Sequence, residues 1–221
     1  MKSLKQTIRR IVPSELYMNL SRVKSNYCLN KEKNQFLKNG LKTIEKTCMI
    51  LDDTKIKYFV ALGTLLGLYR DGKLLKNDMD IDIFVYANNE DKKELIRKAF
   101  AQNKVKRVFT FDVKGIGCVQ DSFIYRNVKI DATYIFEDNE SDMYYLLYGD
   151  QCEQTLLFSY SKVNETIKKE MAGIKVTVPM DTEVFLRETY GEGWRKPDSD
   201  YKFWENPLAE KVYSPGIVER L

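Results

Sequence analysis

Three aspartates have the clearest capacity for chemistry in this sequence, because each lies within a run of residues that should be buried. Asp80 and Asp82 are two positions apart in the stretch MDIDIFVY, where they alternate with Ile81 and Ile83. Side chains two positions apart in a strand point to the same face of a sheet, so the two carboxylates should project together. Asp131 lies in a second apolar run, NVKIDATYIF. These residue types in this pattern predict a site that binds a cation.

The closeness of Asp80 and Asp82 needs a physical explanation. Two like charges on an apolar backing repel each other and raise each other's pKa unless a cation lies between them. Mg²⁺ takes oxygen ligands, so the pair favours a magnesium site. A solvated strand end gives the same Asp-x-Asp spacing, and the pair alone is therefore weak evidence.

A Gly-Thr turn ahead of the carboxylates strengthens this interpretation. Gly63 and Thr64 lie in ALGTLLG, where a strand should pass into a short helix. A glycine lets the backbone approach a phosphate, and the free N–H groups at the start of a helix attract anions. Three acids on strands around such a turn are the parts of a two-metal phosphoryl-transfer site, in which the ions lie about 3.5–4 Å apart.

The sequence patterns around these residues predict both helices and strands, and so a mixed α and β protein. Apolar residues recur at helical spacing over residues 34–51, and alternating patterns mark strands around the aspartates. Over residues 1–30 the pattern predicts one or two short basic helices, broken near Pro13. The other predicted elements are a strand in KYFVAL, a helix over about 65–70, a helix over about 89–101, strands in KRVFTFDV and over about 128–136, a short strand or hairpin in KEMAGIKVTVPM, and a capped helix that begins at Asp181 or Thr182.

Composition argues against several classes of protein. Of the 221 residues, 43% are hydrophobic and 31% are charged, as in one soluble globular domain with an appendage. The chain has no histidine and four widely spaced cysteines, which argues against a zinc site and against a Ser-His or Cys-His nucleophile. No apolar stretch has the roughly 20 residues of a membrane span, and basic residues interrupt the N-terminal apolar pattern as they would not in a signal peptide. We therefore expect a cytoplasmic protein.

Positive charge is concentrated at the N-terminus. Residues 1–46 contain eleven Lys and Arg against three Glu, a net charge of +8, whereas the whole chain carries +4. This segment is either a solvated helical appendage or a surface attracted to anionic lipid or another polyanion. We do not expect a nucleic-acid partner, since no recognisable reading motif accompanies the basic residues. The predicted divisions are a basic helical appendage at 1–46, a catalytic domain at 47–200 and a tail at 201–221.

Two sequence blocks together resemble a known family. The block GTLLGLYRDGKLLKNDMDIDI resembles the LicD family of the nucleotidyltransferase superfamily, which includes phosphorylcholine transferases of bacterial surface glycans and fukutin-type ribitol-phosphate transferases. The block VPMDTEVFLRETYGEGWRKP is similar to the family's late helix, which precedes Tyr-Gly, a Trp and a Pro. Lys76-Asn77 and Met79 replace the family's usual Pro-Trp and middle Asp. Asp78 is then either a helper acid or a loop residue.

The resemblance implies a fold and a set of metal ligands. The fold would be the α+β nucleotidyltransferase fold, also called DNA polymerase β-like, in which a mixed sheet carries the carboxylates and helices flank it. Asp80, Asp82 and Asp131 would ligate magnesium, with two ions expected and Mn²⁺ as a substitute. Asp131 would also be the candidate base for the acceptor hydroxyl. Alternatively, Asp131 is a strand-end acid paired with Lys129 or Arg126.

The same resemblance implies substrates and a reaction. Gly63 and Thr64 would bind substrate at the turn, while Arg70 and Lys73 would clamp phosphate oxygens. The expected enzyme is a LicD-like phosphotransferase for substituted phosphate groups, active in capsule or lipopolysaccharide biosynthesis. It would move phosphocholine, ribitol phosphate or a similar unit from a CDP-activated donor to a hydroxyl of a glycan or lipid-linked sugar. The basic N-terminus would then favour peripheral association with the inner face of a membrane.

An alternative reaction stays open on the sequence alone. A nucleotidyltransferase that adds a nucleoside monophosphate to a small molecule, RNA or a protein would use the same carboxylates. Release of cytidine monophosphate would support the phospho-alcohol transferase, and release of pyrophosphate would support the alternative. A fold kept only for binding is disfavoured, because all three acids are present.

Overall fold

The computed structural model describes residues 14–137, 142–149, 155–198, 200–202, 206, 208–212 and 216–220. Within them the chain forms four α-helices and twelve strands, so the predicted mixed class is confirmed. The helices are α1 (Ser14–Thr54), α2 (Leu62–Leu66), which continues as a π-helical turn over Gly67–Asp71, α3 (Glu90–Gln102) and α4 (Thr182–Tyr190). The strands are β1 (Tyr58–Val60), β2 (Asp80–Val85), β3 (Lys106–Val113), β4 (Gly117–Tyr125), β5 (Val128–Tyr134), β6 (Phe136–Glu137), β7 (Met143–Gly149), β8 (Thr155–Ser161), β9 (Thr166–Met171), β10 (Ile174–Pro179), β11 (Ala209–Val212) and β12 (Gly216–Arg220).

A six-stranded mixed sheet positions the acidic residues. Its strand order is β1-β2-β5-β4-β3-β12, in which β2 and β5 are parallel and the other neighbours are antiparallel. A parallel pair needs a crossover connection, and α3 with the β3–β4 hairpin supplies it. The register of the parallel pair sets Asp82 directly beside Asp131. The two acid-bearing strands are therefore neighbours, although 49 positions separate these aspartates in the sequence.

One helix of 41 residues, α1, crosses the whole N-terminal region that the structure describes. At 1.5 Å per residue it is about 60 Å long. The helix predicted over residues 34–51 is confirmed as part of α1, and its apolar stripe, including Phe36, Ile44 and Leu51, is buried. The separate short helices predicted for residues 1–30 are wrong from Ser14 onward, because no proline interrupts α1. The predicted boundary between residues 46 and 47 falls inside this helix, and Pro13 lies outside the described residues.

Among the described helices, including α1, none combines the length and apolar character that crossing a membrane requires.

The C-terminal segment takes part in two sheets. β11 pairs with β8 in a four-stranded sheet of order β11-β8-β7-β6, and β12 pairs with β3 at the edge of the central sheet. The segment predicted as a tail at 201–221 is therefore not separate from the domain, because its backbone supplies strand pairing to both sheets. The hairpin predicted in KEMAGIKVTVPM is confirmed as β9–β10. Ala172 and Gly173 form its two-residue turn, both with the positive φ that such a turn requires.

An aromatic layer packs against the central sheet next to the acids. Phe185 of α4 lies with its ring centroid 5.4 Å from that of Phe59, 5.8 Å from that of Phe84 and 5.5 Å from that of Tyr160. Phe84 follows Asp82 by two positions and so lies on the same face of β2. The aromatic layer therefore closes one end of the acidic face and fixes β2 against α4 and the smaller sheet.

Two helices begin close to the predicted positions, and their first turns are capped differently. α3 begins as predicted, because the Asn89 side chain accepts a hydrogen bond of 2.9 Å from the backbone N–H of Lys92. α4 begins at Thr182, within the predicted bounds, but the Asp181 side chain makes no capping hydrogen bond. Asp181 has φ −88° and ψ 56°, which is not the extended conformation that an N-cap residue adopts. The Thr182 hydroxyl instead donates to the carbonyl oxygen of Pro179 at 2.6 Å.

The second glycine of the GTLLG motif gives a stability prediction. A Cβ atom on Gly67 would lie 2.7 Å from the carbonyl oxygen of Lys73 and 3.0 Å from the Leu75 side chain. We expect Gly67→Ala to lower the free energy of unfolding by about 1–3 kcal/mol, because a backbone carbonyl cannot move away without strain. Gly193→Ala is the matched control, since a Cβ there meets nothing within 4 Å. Urea denaturation of both variants checks this; equal stability would contradict it.

Candidate active site

Two predicted site acids share one lysine. The register of β2 with β5 sets Asp80 beside Lys129 and Asp82 beside Asp131. The Lys129 ammonium lies 2.8 Å from Asp80 Oδ2 and 3.0 Å from Asp131 Oδ2. The structure thus brings all three predicted acids to one place on neighbouring strands. It also contains the pairing of Asp131 with Lys129 that the sequence left as an alternative, so Asp131 is both a paired residue and a member of the acidic cluster.

A hydroxyl on the next strand orients Asp131. Ser122 of β4 donates a hydrogen bond of 2.5 Å to Asp131 Oδ1, and Gln120 lies 3.3 Å from the same hydroxyl. Ser122 is fully buried. Sequence reasoning did not identify it. The signal was present as two polar residues at strand spacing, Gln120 and Ser122, within a predicted strand, but their meaning depends on β4 lying beside β5.

The Gly-Thr turn is tied to the acid-bearing strand. The hydroxyl of Thr64 accepts a hydrogen bond of 3.0 Å from the backbone N–H of Asp82, and the backbone N–H of Ala61 donates to the Asp82 carbonyl at 3.0 Å. Thr64 is buried, with 1% of its surface exposed. Its position therefore fixes the start of α2 against β2. The substrate contact expected of Thr64 stays a prediction.

Gly63 makes room for a fourth carboxylate. A Cβ on Gly63 would lie 2.5 Å from Asp78 Oδ2, so only glycine lets Asp78 come this close. That oxygen is buried and has no hydrogen-bond partner in the described part of the chain. The other oxygen of Asp78 accepts a hydrogen bond of 3.1 Å from the backbone N–H of Met79. Asp78 also lies close enough to Asp80 and Asp82 for their charges to interact, so it belongs to the acidic cluster, which comprises Asp78, Asp80, Asp82 and Asp131.

Burial and mutual repulsion both act on this cluster. Burial, followed by the charge of Asp80, raises the pKa of Asp78 to about 7. The pKa of Asp82 rises well above its ordinary value through burial and then through Asp80 and the other two acids. Burial also raises the pKa of Asp131, while Lys129 opposes the rise. The surroundings therefore do not balance four ionised carboxylates, and without a further cation the cluster retains protons to a higher pH than free aspartates do.

The pKa of Lys129 is also raised, but for a lysine this shift favours the charged form. Burial alone would lower the pKa of Lys129, but the charges of Asp131 and Asp80 raise it above its ordinary value. Lys129 therefore stays fully charged, and it is the cation that the described residues pair with Asp80 and Asp131.

The donor set suits a hard divalent cation. Four carboxylates surround the site, one of their buried oxygens lacks a partner, and carboxylate oxygens are what Mg²⁺ prefers. Within the described ranges, however, no three acidic, Cys or His side chains are already grouped as metal ligands. Lys129 lies against two of the carboxylates instead, so an ion that joined them would first have to displace it.

A pocket of about 700 Å³ opens beside the acidic cluster. Gly63 and Asp78 are among its lining residues, so the pocket meets the acidic cluster at Asp78. Tyr190 also lines it, and after burial the charges of Asp82 and Asp78 raise the pKa of the Tyr190 hydroxyl. The remaining lining residues are Leu66, Arg70, Leu75, Lys76, Asn77, Gly193, Trp194, Lys196, Pro197, Asp198 and Tyr201.

The two predicted phosphate clamps differ in position. Arg70 lines the pocket, where its Nε lies 2.8 Å from Asp71 Oδ1 and its Nη1 donates to the Trp194 carbonyl at 3.3 Å. Lys73 is exposed on the following loop and is not among the pocket-lining residues. Both roles stay predictions, but the structure brings only Arg70 to the pocket.

Aromatic residues of the second sequence block form one wall of the pocket. The rings of Tyr190 and Tyr201 have centroids 4.8 Å apart, and Trp194 packs on Tyr69 at 5.9 Å. The indole N–H of Trp194 is buried without a partner among the described residues. Tyr190 and Trp194 line the pocket together with residues of the turn after β1 and of the loop before β2.

A mixed sheet with clustered carboxylates beside a Gly-Thr turn, flanked by helices, defines a domain of the nucleotidyltransferase class. Residues 55–181 match the family model described as "LicD/FKTN/FKRP, nucleotidyltransferase domain". The chain therefore belongs to the LicD/FKTN/FKRP family. The family predicted from the sequence blocks is confirmed.

Curated relatives carry the name of a transferase. The chain is 25% identical over 178 residues to "Ribitol-5-phosphate transferase FKTN" of Mus musculus and 23% identical to the protein of the same name from Homo sapiens. Each match covers 78% of this chain and 36% of the relative, so the chain spans about a third of the length of these proteins. Among solved structures, ANT(2")-Ia in complex with adenylyl-2"-tobramycin is similar with a TM-score of 0.42 and 12% identity, over 74% of this chain and 82% of that one.

The raised pKa of Asp78 predicts a pH-dependent stability. Above about pH 4 an unfolded chain loses the Asp78 proton, whereas the metal-free folded protein keeps it up to about pH 7. This residue therefore lowers stability as the pH rises through that window. We expect Asp78→Asn to melt several degrees above the wild-type protein at pH 8 in a chelator, and close to it at pH 4.

Differential scanning fluorimetry across this pH range checks the prediction. Asp53→Asn is the matched control, because Asp53 is an exposed acid on α1. A melting difference for Asp78→Asn that does not change with pH would show that Asp78 is not buried beside Asp80 in the folded protein.

Proposed function

We propose that this protein is a magnesium-dependent transferase, which moves a phospho-alcohol unit from a CDP-activated donor to a sugar hydroxyl of a cell-surface glycan. Phosphocholine and ribitol phosphate are the representative units. One observation carries the proposal: the cluster of Asp78, Asp80, Asp82 and Asp131, which Lys129 balances only in part, adjoins a pocket through Asp78 within a LicD/FKTN/FKRP family domain. The curated relatives named ribitol-5-phosphate transferase support the choice of transferred unit.

Asp80, Asp82 and Asp131 would hold the metal. Magnesium, with two ions expected and Mn²⁺ as a substitute, would supply positive charge against the phosphate oxygens. The unpartnered oxygen of Asp78 and the raised pKa of Asp82 support this assignment, since both indicate carboxyl groups whose ionised form lacks a counter-ion.

Asp131 would receive the proton of the acceptor hydroxyl. Burial raises its pKa, which brings the carboxylate nearer to the basicity that a general base needs near neutral pH, and Ser122 orients it. The acceptor oxygen forms a bond to the β-phosphorus of the donor, the bond from that phosphorus to the bridging oxygen breaks, and cytidine monophosphate leaves. The proton of the acceptor passes to Asp131.

The pocket beside the cluster would bind the donor. Its aromatic wall, formed by Tyr190, Trp194 and Tyr201, offers faces on which a pyrimidine base or a sugar can stack. Arg70 and Lys196 bring positive charge to the same pocket for the diphosphate. Since Asp78 both lines the pocket and belongs to the acidic cluster, a donor bound here would have its phosphates near the carboxylates.

A second candidate is transfer of a nucleoside monophosphate to a small molecule, RNA or a protein. The description of the matching family model as a nucleotidyltransferase domain favours keeping it. The two reactions differ in the leaving group, which is cytidine monophosphate in the first and pyrophosphate in the second.

Product analysis with an acid variant tests the proposed reaction. Wild-type protein with magnesium, a CDP-alcohol and a glycan acceptor should release cytidine monophosphate, and Asp80→Asn or Asp82→Asn should abolish that release. Asp82→Asn should not lower the melting temperature in a chelator, because it removes a buried like charge. Asp53→Asn, at an exposed position of α1, should behave as wild type.

Two outcomes would contradict the proposed reaction. Near-normal turnover by Asp82→Asn with saturating magnesium would overturn the metal assignment. Release of pyrophosphate in place of cytidine monophosphate would favour the second candidate.

Asp131 should affect the chemical step more than donor binding. We expect Asp131→Asn to lower the single-turnover rate by about 100-fold or more, with a much smaller change in donor affinity. Ser122→Ala should give a smaller loss, because the carboxylate remains but loses its 2.5 Å hydrogen bond. Titration calorimetry and single-turnover kinetics check both variants. Lost donor binding with an unchanged rate in Asp131→Asn would assign Asp131 a structural role instead.

The basic N-terminus would hold the protein reversibly on an anionic membrane. Residues 1–46 carry a net charge of +8, and the part of α1 at residues 28–32 is exposed. Each basic residue near such a surface contributes about 1 kcal/mol, less as salt increases. We expect the full chain to sediment with phosphatidylserine vesicles at low salt, and a chain that begins at Lys31 to bind them less. Equal binding by both chains, or binding by neither, would leave the segment as a structural appendage.

A further inference from the structure

Lys129 occupies the place in the acidic cluster where a counter-ion is needed. Its ammonium lies 2.8 Å from Asp80 Oδ2 and 3.0 Å from Asp131 Oδ2, so it bridges β2 and β5. Asp80 and Asp131 are the same residues to which the proposed function assigns the metal. A lysine and a divalent ion cannot both lie within contact distance of these two oxygens without strong repulsion.

The lysine has room to leave. Its side chain is 36% exposed, whereas that of Asp131 is 13% exposed. The Lys129 ammonium already lies 6.0 Å from the ring centroid of Phe109 on β3, on the side away from β2. An ammonium group released from the carboxylates can therefore remain near the sheet over an aromatic face.

We propose that Lys129 is an internal competitor of the metal, a positioning residue that keeps Asp80 and Asp131 together in the metal-free protein and is displaced when the ion binds. The inference rests on the proposed function for the identity of the ion. Its direct consequence is that the free protein binds magnesium more weakly than its four carboxylates would allow. Binding of the ion also changes the surroundings of Lys129.

Magnesium affinity without nucleotide tests the inference. Lys129→Met should bind Mg²⁺ about tenfold more tightly than wild type in titration calorimetry, because the ion no longer breaks two ion pairs. Lys129→Arg keeps the charge and should stay within about threefold of wild type. Lys106→Met is the matched control, since Lys106 is an exposed lysine on β3 that is not paired with the cluster. Unchanged or weaker binding by Lys129→Met would overturn the inference.

A second measurement uses the wild-type protein, and so decides even if Lys129→Met does not fold without metal. Acetylation of lysines, followed by mass spectrometry of peptides, should show several-fold faster modification of Lys129 when magnesium is added. Lys106 is the internal reference and should not change. Labelling of Lys129 that stays the same or slows with magnesium would overturn the displacement.

The two proposals fail in different ways. If wild type and Lys129→Met bind magnesium with the same affinity, only the role of Lys129 is overturned. If neither protein binds magnesium, the metal in the proposed function is overturned together with this inference.

Discussion

Repulsion among carboxylates held on two adjoining parallel strands is the constraint on which the rest of the structure depends. Asp82 and Asp131 are register partners, and Asp80 and Asp78 add further charge within the same small volume. Such a cluster costs free energy, which burial elsewhere must offset. The fully buried residues of β2 and β5, and the aromatic layer around Phe185, supply apolar contacts directly behind and beside it. The acidic cluster therefore lies against buried apolar residues of the domain core.

Short-range patterns predicted the parts of this site, but not how they meet. Alternation over Asp80 and Asp82 correctly placed both on one face of a strand, because side-chain direction in a strand repeats every two residues. Ser122 could not be assigned in the same way, since its role arises from β4 lying beside β5. Gly63 shows the same limit. Its conformational freedom was expected to serve a bound phosphate, whereas the structure uses the missing Cβ to admit Asp78.

The full length of α1 and the set of segments that form the pocket could not be predicted from local sequence patterns. Residues 14–54 form one helix, although only residues 34–51 carry the apolar spacing from which a helix was predicted. The pocket combines the turn after β1, the loop before β2 and the segment after α4, which are distant in sequence. Asp78 lines the pocket and belongs to the acidic cluster, so it links the place where a donor would bind to the place where the four carboxylates meet. That junction, rather than any single motif, makes the arrangement suitable for group transfer.

The pairing of β12 with β3 has a consequence for how the domain forms. Gly216 is the register partner of Val113, about a hundred residues earlier in the chain. During synthesis on a ribosome, β3 therefore emerges long before the strand that covers its edge. Until then its unpaired N–H and C=O groups are open to strands of other nascent chains. Contacts of such high sequence separation also form slowly. The sheet that holds the acids is thus completed late, and its free edge is the point where misassociation during folding would begin.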